Sequence, residues 1–271
     1  NGLIVEIMRA LFMMDVQSID EYSALIEHFR STKTFPEIKS KIDFEASELV
    51  YSNANKEEKE QQKHYAIIPV VGPVLRYDSC CSYGSETLAK QLEKHFNDES
   101  VAGIVLNVDT PGGSVSAIAP FLEAAKIKNK PVIAVCESAC SLGYWFVSAL
   151  ADHIMVENTI SSRLGSIGVV CSFKDTRPHD EEKNIKHHEI YADQSEGKYD
   201  MIKEEYLNPM AIEFQQSVMR TRPGVLKESG VLTGKTFGAN EAIRLKLADS
   251  IGNMRDAFLL IDVMNELSSN A

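Results

Sequence analysis

The chain has 271 residues, of which 44% are hydrophobic and 25% charged. That is the balance of an ordinary globular protein with room for a sizeable core, and it excludes wholesale disorder and fibrous architectures. Lys and Arg number 28 against 39 Asp and Glu, a net charge of −11 with no basic stripe, so nucleic acid is excluded as a partner. The five cysteines, Cys80, Cys81, Cys136, Cys140 and Cys171, form no CxxC pair, and Cys80 and Cys81 are adjacent. They read as reduced thiols of a cytoplasmic protein, with no metal site and no cofactor.

In chain order, Leu3, Ile7 and Leu11, then Tyr22, Leu25, Ile26 and Phe29, recur at helical spacing and predict two short amphipathic helices on either side of residues 15–20. The apolar stretch 2–14 is broken by Glu6 and Arg9 and falls short of the roughly 20 residues a membrane span needs. No stable membrane anchor is therefore expected. A chain that starts at Asn1 is read as lacking an upstream segment, and membrane association would follow only from such a segment. Residues 31–63 turn polar and end in a charged run. The expected organisation is a helical arm and linker over 1–63, a main domain over 64–262 and a short tail over 263–271.

From residue 64 onward, β-branched runs alternate with helical ones. Strands are predicted at 65–71, 101–108, 131–136 and 153–156, and helices at 86–97, 117–128 and 142–151. Such alternation implies an α/β fold with a mostly parallel sheet, whose chemistry gathers at the carboxyl ends of the strands. The segment 200–231 carries Met and Phe at helical spacing among charges and reads as an inserted helical pair.

Two strand-to-helix turns stand out. Asp109-Thr-Pro-Gly-Gly-Ser114 has glycines that let the backbone turn sharply and aim N–H groups at a ligand or an oxyanion, and a plain tight turn is the equal alternative. Glu137-Ser-Ala-Cys-Ser-Leu-Gly143 places Ser141 at a helix start, where it is either a nucleophile or simply an N-cap. Cys140 is the rival nucleophile. Of the seven histidines only His153 is near in sequence, and it starts an apolar strand, so a Ser-His-Asp triad has no candidate. A lysine made neutral by burial is the remaining economical base.

These turns, followed by Lys130-Pro-Val-Ile-Ala-Val135, Ala149-Leu-Ala-Asp152, Gly165-Ser-Ile-Gly-Val169 and the closing Leu232-Thr-Gly-Lys-Thr-Phe-Gly-Ala-Asn-Glu-Ala242 and Leu247-Ala-Asp-Ser-Ile-Gly252, resemble the S49 peptidases, the signal peptide peptidase A and protease IV group. The resemblance spans about residues 65–262. It implies a ClpP/crotonase-like fold, a homo-oligomer and a Ser-Lys dyad acting on polypeptides. Ser141 matches the nucleophile, Gly113 an oxyanion donor with the Leu142 N–H as its partner, and Ser166 the serine that orients the lysine. Gly112, Gly143 and Tyr144 fall where a small apolar substrate pocket would be. Lys198, in Ser195-Glu-Gly-Lys-Tyr-Asp200, matches the base, with Lys174, Lys183, Lys186 and Lys203 as substitutes and Glu196 and Asp200 expected to face solvent. In the common pattern the lysine follows the aromatic residue, and a strict register would put Asp200 at the base position. A glycine usually follows the nucleophile, where this chain has Leu142. The prophage-type members are most similar, implying cleavage of phage scaffold or head proteins in the cytoplasm or procapsid, with signal-peptide degradation as the other outlet. A non-catalytic assembly protein and a crotonase-type acyl-CoA enzyme are the alternatives.

Overall fold

The computed structural model describes the backbone of residues 12–14, and residues 63–78, 82–170 and 200–269 in full. The main sheet has strand order β2 (His64–Val71), β3 (Val101–Thr110), β5 (Val132–Cys140), β6 (His153–Val156) and β9 (Ser250–Ile251), every neighbouring pair parallel. Beyond the end of β6, the second half of β5 pairs instead with β7 (Arg163–Gly165), which pairs antiparallel with β8 (Thr236–Gly238). β5 is thus shared by two diverging branches of the sheet. The architecture is the mostly parallel α/β fold expected.

The central strands are apolar on both sides because both faces are covered. One face carries α1 (Ser85–Asn97), α2 (Ile118–Lys126) and α3 (Leu142–Leu150), which bring Leu88, Leu92, Phe96, Phe121, Tyr144 and Phe146 into the main core. The other face is closed by α6 (Met254–Ser269), whose Ala257, Phe258 and Ile261 pack on Val105, Ile133 and Val135. α6 comes so close that a Cβ on Gly103 would stand 2.6 Å from the Ile261 Cγ2. It also runs unbroken past position 262, as far as Ser269.

α3 has little polarity: Leu142 to Ser148 and Leu150 are all buried, the pattern of a helix enclosed on every side. Each fully buried large side chain is worth about 1.5–3 kcal/mol, so the helix start is held fast. Its Trp145 stacks on Phe214, with ring centroids 4.6 Å apart. Phe214 belongs to α4 (Asn208–Thr221), entered through one α turn at Asp200–Ile202 and a π-helical turn at Lys203–Leu207. Where a helical pair is expected over 200–231, the described chain has one continuous helical stretch, because Phe214 and Val218 bury in the core beside α3. α5 (Ala239–Arg244) follows β8 directly.

At the N-terminus the structure corrects the helical reading at one point: Phe12–Met14 is a strand, β1, antiparallel to β4 (Gly112–Ser114). Apolar spacing favours a helix there, and a partner edge nearly a hundred residues away overrides it. The rest of 1–62 lies outside the described residues.

The closing segment is tied to the sheet by Asp249. Its carboxylate accepts two bonds from the Arg222 guanidinium, at 2.9 and 2.7 Å, and one from the Ile154 N–H at 2.8 Å. Burial alone would raise the Asp249 carboxyl, but Arg222 and the Ile154 N–H together outweigh it and hold it below the ordinary value. The folded protein therefore gives up this carboxylate at lower pH than the unfolded chain does. The stabilisation is complete above the ordinary carboxylate pKa of about 4 and fades as pH falls through the lower folded value. We expect Asp249→Asn to cost about 1–2 kcal/mol at pH 7 and to shrink the acid-induced loss of stability, read from denaturant midpoints of both proteins between pH 7 and pH 3. Equal midpoints at pH 7 would contradict it.

Candidate active site

Three segments meet at the carboxyl end of β3 and β5. The first is the turn after β3. Gly112 takes a φ of +114°, a region that favours glycine, and its N–H is accepted by the Thr110 hydroxyl oxygen at 3.1 Å. That hydroxyl donates to the Gly72 carbonyl at 2.6 Å. The Val74 N–H donates to the Gly112 carbonyl at 2.9 Å, and the Ser114 N–H to the Val74 carbonyl at 3.0 Å. Gly113 lies so tightly against Val74 that a Cβ would come within 1.9 Å of the Val74 oxygen. The glycine pair is therefore a short extended strand pinned along Val74, more than a simple reversal.

The second segment is the passage from β5 into α3. β3 and β5 slip by one residue between Val108 and Asp109, which leaves Glu137 without a Cα partner on β3 and sets Thr110 opposite Ala139. Ser141 follows at once, with φ 53° and ψ −119°. A serine avoids this backbone region, and such outliers gather where side-chain placement matters more than local comfort. The reading of Ser141 as a conventional N-cap fails in one respect: its side chain makes no capping bond to the helix. Its Oγ donates instead to the Gly168 carbonyl at 3.3 Å. The N–H groups of Leu142 and Gly143, in the first turn of α3, have no intrahelical acceptor and lend positive potential to the end where Ser141 stands.

The third segment is β7 and the residues after it. The Ser141 N–H donates to the Gly165 carbonyl at 2.8 Å, and Cys140 is paired with Gly165. Ser166 is also at positive φ, 54°, is buried, and is held by its N–H on the Lys235 carbonyl at 2.9 Å. The structure thus gathers Ser141, Gly165, Ser166 and Gly168 at one place, and α3 packs against β4, which carries Gly113.

Other expected site residues fall elsewhere. Tyr144 is fully buried and its hydroxyl donates to the Leu247 carbonyl at 2.9 Å, which makes it a core residue and not a pocket wall. The Leu142 side chain is buried in the same core and lines no pocket. Gly143 sits against Thr110, where a Cβ would approach the Thr110 Cγ2 to 2.5 Å; the glycine lets the helix and the first turn touch. Lys198, Glu196, Lys174, Lys183 and Lys186 lie outside the described residues. Lys203 and Asp200 are both exposed, as expected for solvated groups. His153 shares a 2.8 Å hydrogen bond with Ser250. Cys140 is buried with its Sγ 3.5 Å from the Ser138 Oγ, while burial pushes the Cys136 thiol far up, leaving it an inert core thiol.

Thr110, Val74 and Gly168 were not singled out by the sequence reading. Their contribution is made through backbone carbonyls, or a hydroxyl turned to the backbone, and only the Thr-Pro-Gly-Gly run could have pointed to Thr110. Asp109 and Glu137 give the same end of the sheet an acidic rim. Burial, then the Glu137 charge, raises the Asp109 carboxyl, while the Glu137 carboxylate accepts from the Asn158 amide at 2.6 Å and the Ser162 hydroxyl at 3.2 Å. Among the described residues no helix is long and apolar enough to cross a membrane, and no His, Cys, Asp and Glu group is arranged to hold a metal ion.

Comparison with known proteins gives a consistent set of likenesses. Residues 124–268 match the model of peptidase family S49. The chain is 35% identical to Protease 4 of Haemophilus influenzae over 134 residues, 47% of this chain and 20% of that protein. It is 26% identical to Capsid assembly protease C of Escherichia phage lambda over 218 residues, 72% of this chain and 48% of that one. The chain thus spans at most about half the length of these two relatives. Among solved structures, a membrane-bound stomatin-specific protease in complex with a substrate peptide aligns with a TM-score of 0.49 at 11% identity, covering 72% of this chain and 78% of its own.

The packing of Gly113 on Val74 yields a direct test. Gly113→Ala cannot keep the present backbone, and overpacking of this kind costs about 1–3 kcal/mol. We expect a lower denaturant midpoint together with loss of any Ser141 reactivity, whereas Gly224→Ala, at a glycine with open space around it, leaves both in place. A Gly113→Ala protein as stable as wild type would refute the tight packing.

Proposed function

Because the chain belongs to peptidase family S49, we propose that it is a serine endopeptidase working through Ser141 and Lys198. The observation that carries this reading is the backbone of Ser141: a non-glycine residue held at positive φ, at a helix start, with its hydroxyl uncommitted to capping.

In the proposed reaction neutral Lys198 accepts the Ser141 hydroxyl proton as Oγ bonds to the scissile carbonyl carbon. The carbonyl oxygen takes up the negative charge and is held by the N–H groups of Gly113 and Leu142, each such donor being worth about 10² to 10³ in rate. Collapse breaks the C–N bond, and the lysine ammonium gives its proton to the leaving amine. Water then repeats the sequence on the acyl-enzyme, with the lysine again as base. Ser166, buried beside Ser141's neighbours, is the group we assign to orient the ammonium. The lysine works only when neutral, so activity should rise with pH as it loses its proton.

The substrate class is polypeptide. The likeness to a capsid assembly protease supports processing of phage scaffold or head proteins, and the likeness to a putative signal peptide peptidase SppA of Enterococcus faecium supports signal-peptide degradation as the other outlet. A homo-oligomer is part of the proposal. Leu259, Val263 and Leu267 support it, because they leave an exposed apolar row at i, i+4 and i+8 along α6.

The test is covalent labelling by a fluorophosphonate followed by intact mass. Wild type should gain one adduct, Ser141→Ala none, and Lys198→Ala should label at least about a hundredfold more slowly, the usual size of a lost general base. Full-rate labelling of Lys198→Ala would remove that lysine from the mechanism. A folded wild type that never labels would favour the assembly-protein reading.

A further inference from the structure

β4 is a three-residue strand with two edges, and its hydrogen bonds say which edge is which. The Gly112 carbonyl and the Ser114 N–H are both spent on Val74. Successive residues of an extended strand direct their N–H and C=O groups to opposite edges, so the N–H and C=O of Gly113 face away from Val74. That second edge is lined by β1, in the register Phe12 opposite Ser114, Met13 opposite Gly113 and Met14 opposite Gly112. Because Gly112 and Ser114 bond on the Val74 side, Met13 and Gly113 form the pair that exchanges both backbone bonds. The carbonyl of Met13 then meets the very N–H that the peptidase reading assigns to the oxyanion.

We propose that Phe12–Met14 is a resident strand that occupies the peptide-docking edge of β4 and blocks the Gly113 N–H until a substrate strand displaces it. The inference rests on the peptidase reading and adds to it a built-in competitor. Antiparallel addition to a short open edge requires only backbone groups of the incoming chain, so the chain's own segment and a substrate polypeptide compete on equal chemical terms. β1 pairs only with β4 among the described strands, in a two-stranded sheet separate from the main one.

A resident that fills the edge nine-tenths of the time weakens apparent substrate affinity about tenfold. Met13→Pro removes the N–H that the pair needs. In the full-length chain we expect it to lower KM for a fluorogenic peptide about tenfold with kcat unchanged, and to speed fluorophosphonate labelling of Ser141. A synthetic peptide spanning residues 8–18 should restore the wild-type KM when added to the variant. Unchanged KM and labelling rate would overturn the proposal, as would failure of the peptide to compete. Amide exchange gives a reading that is independent of chemistry and, in wild type alone, of the variant's folding. The Gly113 N–H should exchange slowly in the unliganded wild type and quickly in Met13→Pro. Fast exchange in wild type refutes the resident strand. Absence of labelling in both proteins with slow wild-type exchange would instead remove the peptidase reading and leave the strand in place.

Discussion

Ser141 holds a backbone conformation that serines avoid, and it is kept there by bonds on both sides. Its N–H is tied to the Gly165 carbonyl, and its own carbonyl accepts the Trp145 N–H at 3.1 Å as the first bond of α3. Strain of this kind costs on the order of 1–3 kcal/mol and survives only where the surroundings overdetermine it. Here they do: β5 enters with Ala139 and Cys140 buried, α3 leaves with Leu142 to Ser148 buried, and neither can shift freely to relieve the residue between them. The forked sheet, in which β5 exchanges β6 for β7 along its length, brings Gly165 to the place where this anchor is needed.

The same logic governs the other half of the site. β4 has no side chain of any size to fix it; glycine is required at 113 by the approach of Val74. Its position is instead written in hydrogen bonds with Thr110 and Val74, the Thr110 hydroxyl being itself anchored on the Gly72 carbonyl. A site built from backbone on a rigid scaffold can be aligned closely while presenting almost nothing for sequence comparison to weigh beyond the glycines themselves.

That difference explains what the sequence revealed. The strands at 65–71, 101–108 and 153–156 and the helices over 86–97 and 117–128, the latter ending at Lys126, were legible from their periodicity, since each buries an apolar face in the core. The Ser141 and Gly113 turns have ordinary alternatives when taken singly, as an N-cap and a tight turn, and were legible only through the ordered set of motifs that resembles the S49 peptidases. β1, β4 and β7 were not, because three residues carry no period and their partners are distant. The forking of the sheet hides for the same reason. Tyr144 misled because an aromatic next to a presumed nucleophile invites a pocket role, whereas a helix buried all round turns it inward to Leu247.

The stack of Trp145 on Phe214 has a practical side. This is the only tryptophan in the chain, its ring is buried, and its indole N–H finds no acceptor among the described residues. Its emission is therefore the voice of a single place: the seam between the helix that begins after Ser141 and the helix that follows residue 199. Any ligand, partner or neighbouring subunit that loosens that seam would let water reach the indole and move its colour to the red, so the intact protein carries its own optical gauge of how firmly the serine is held.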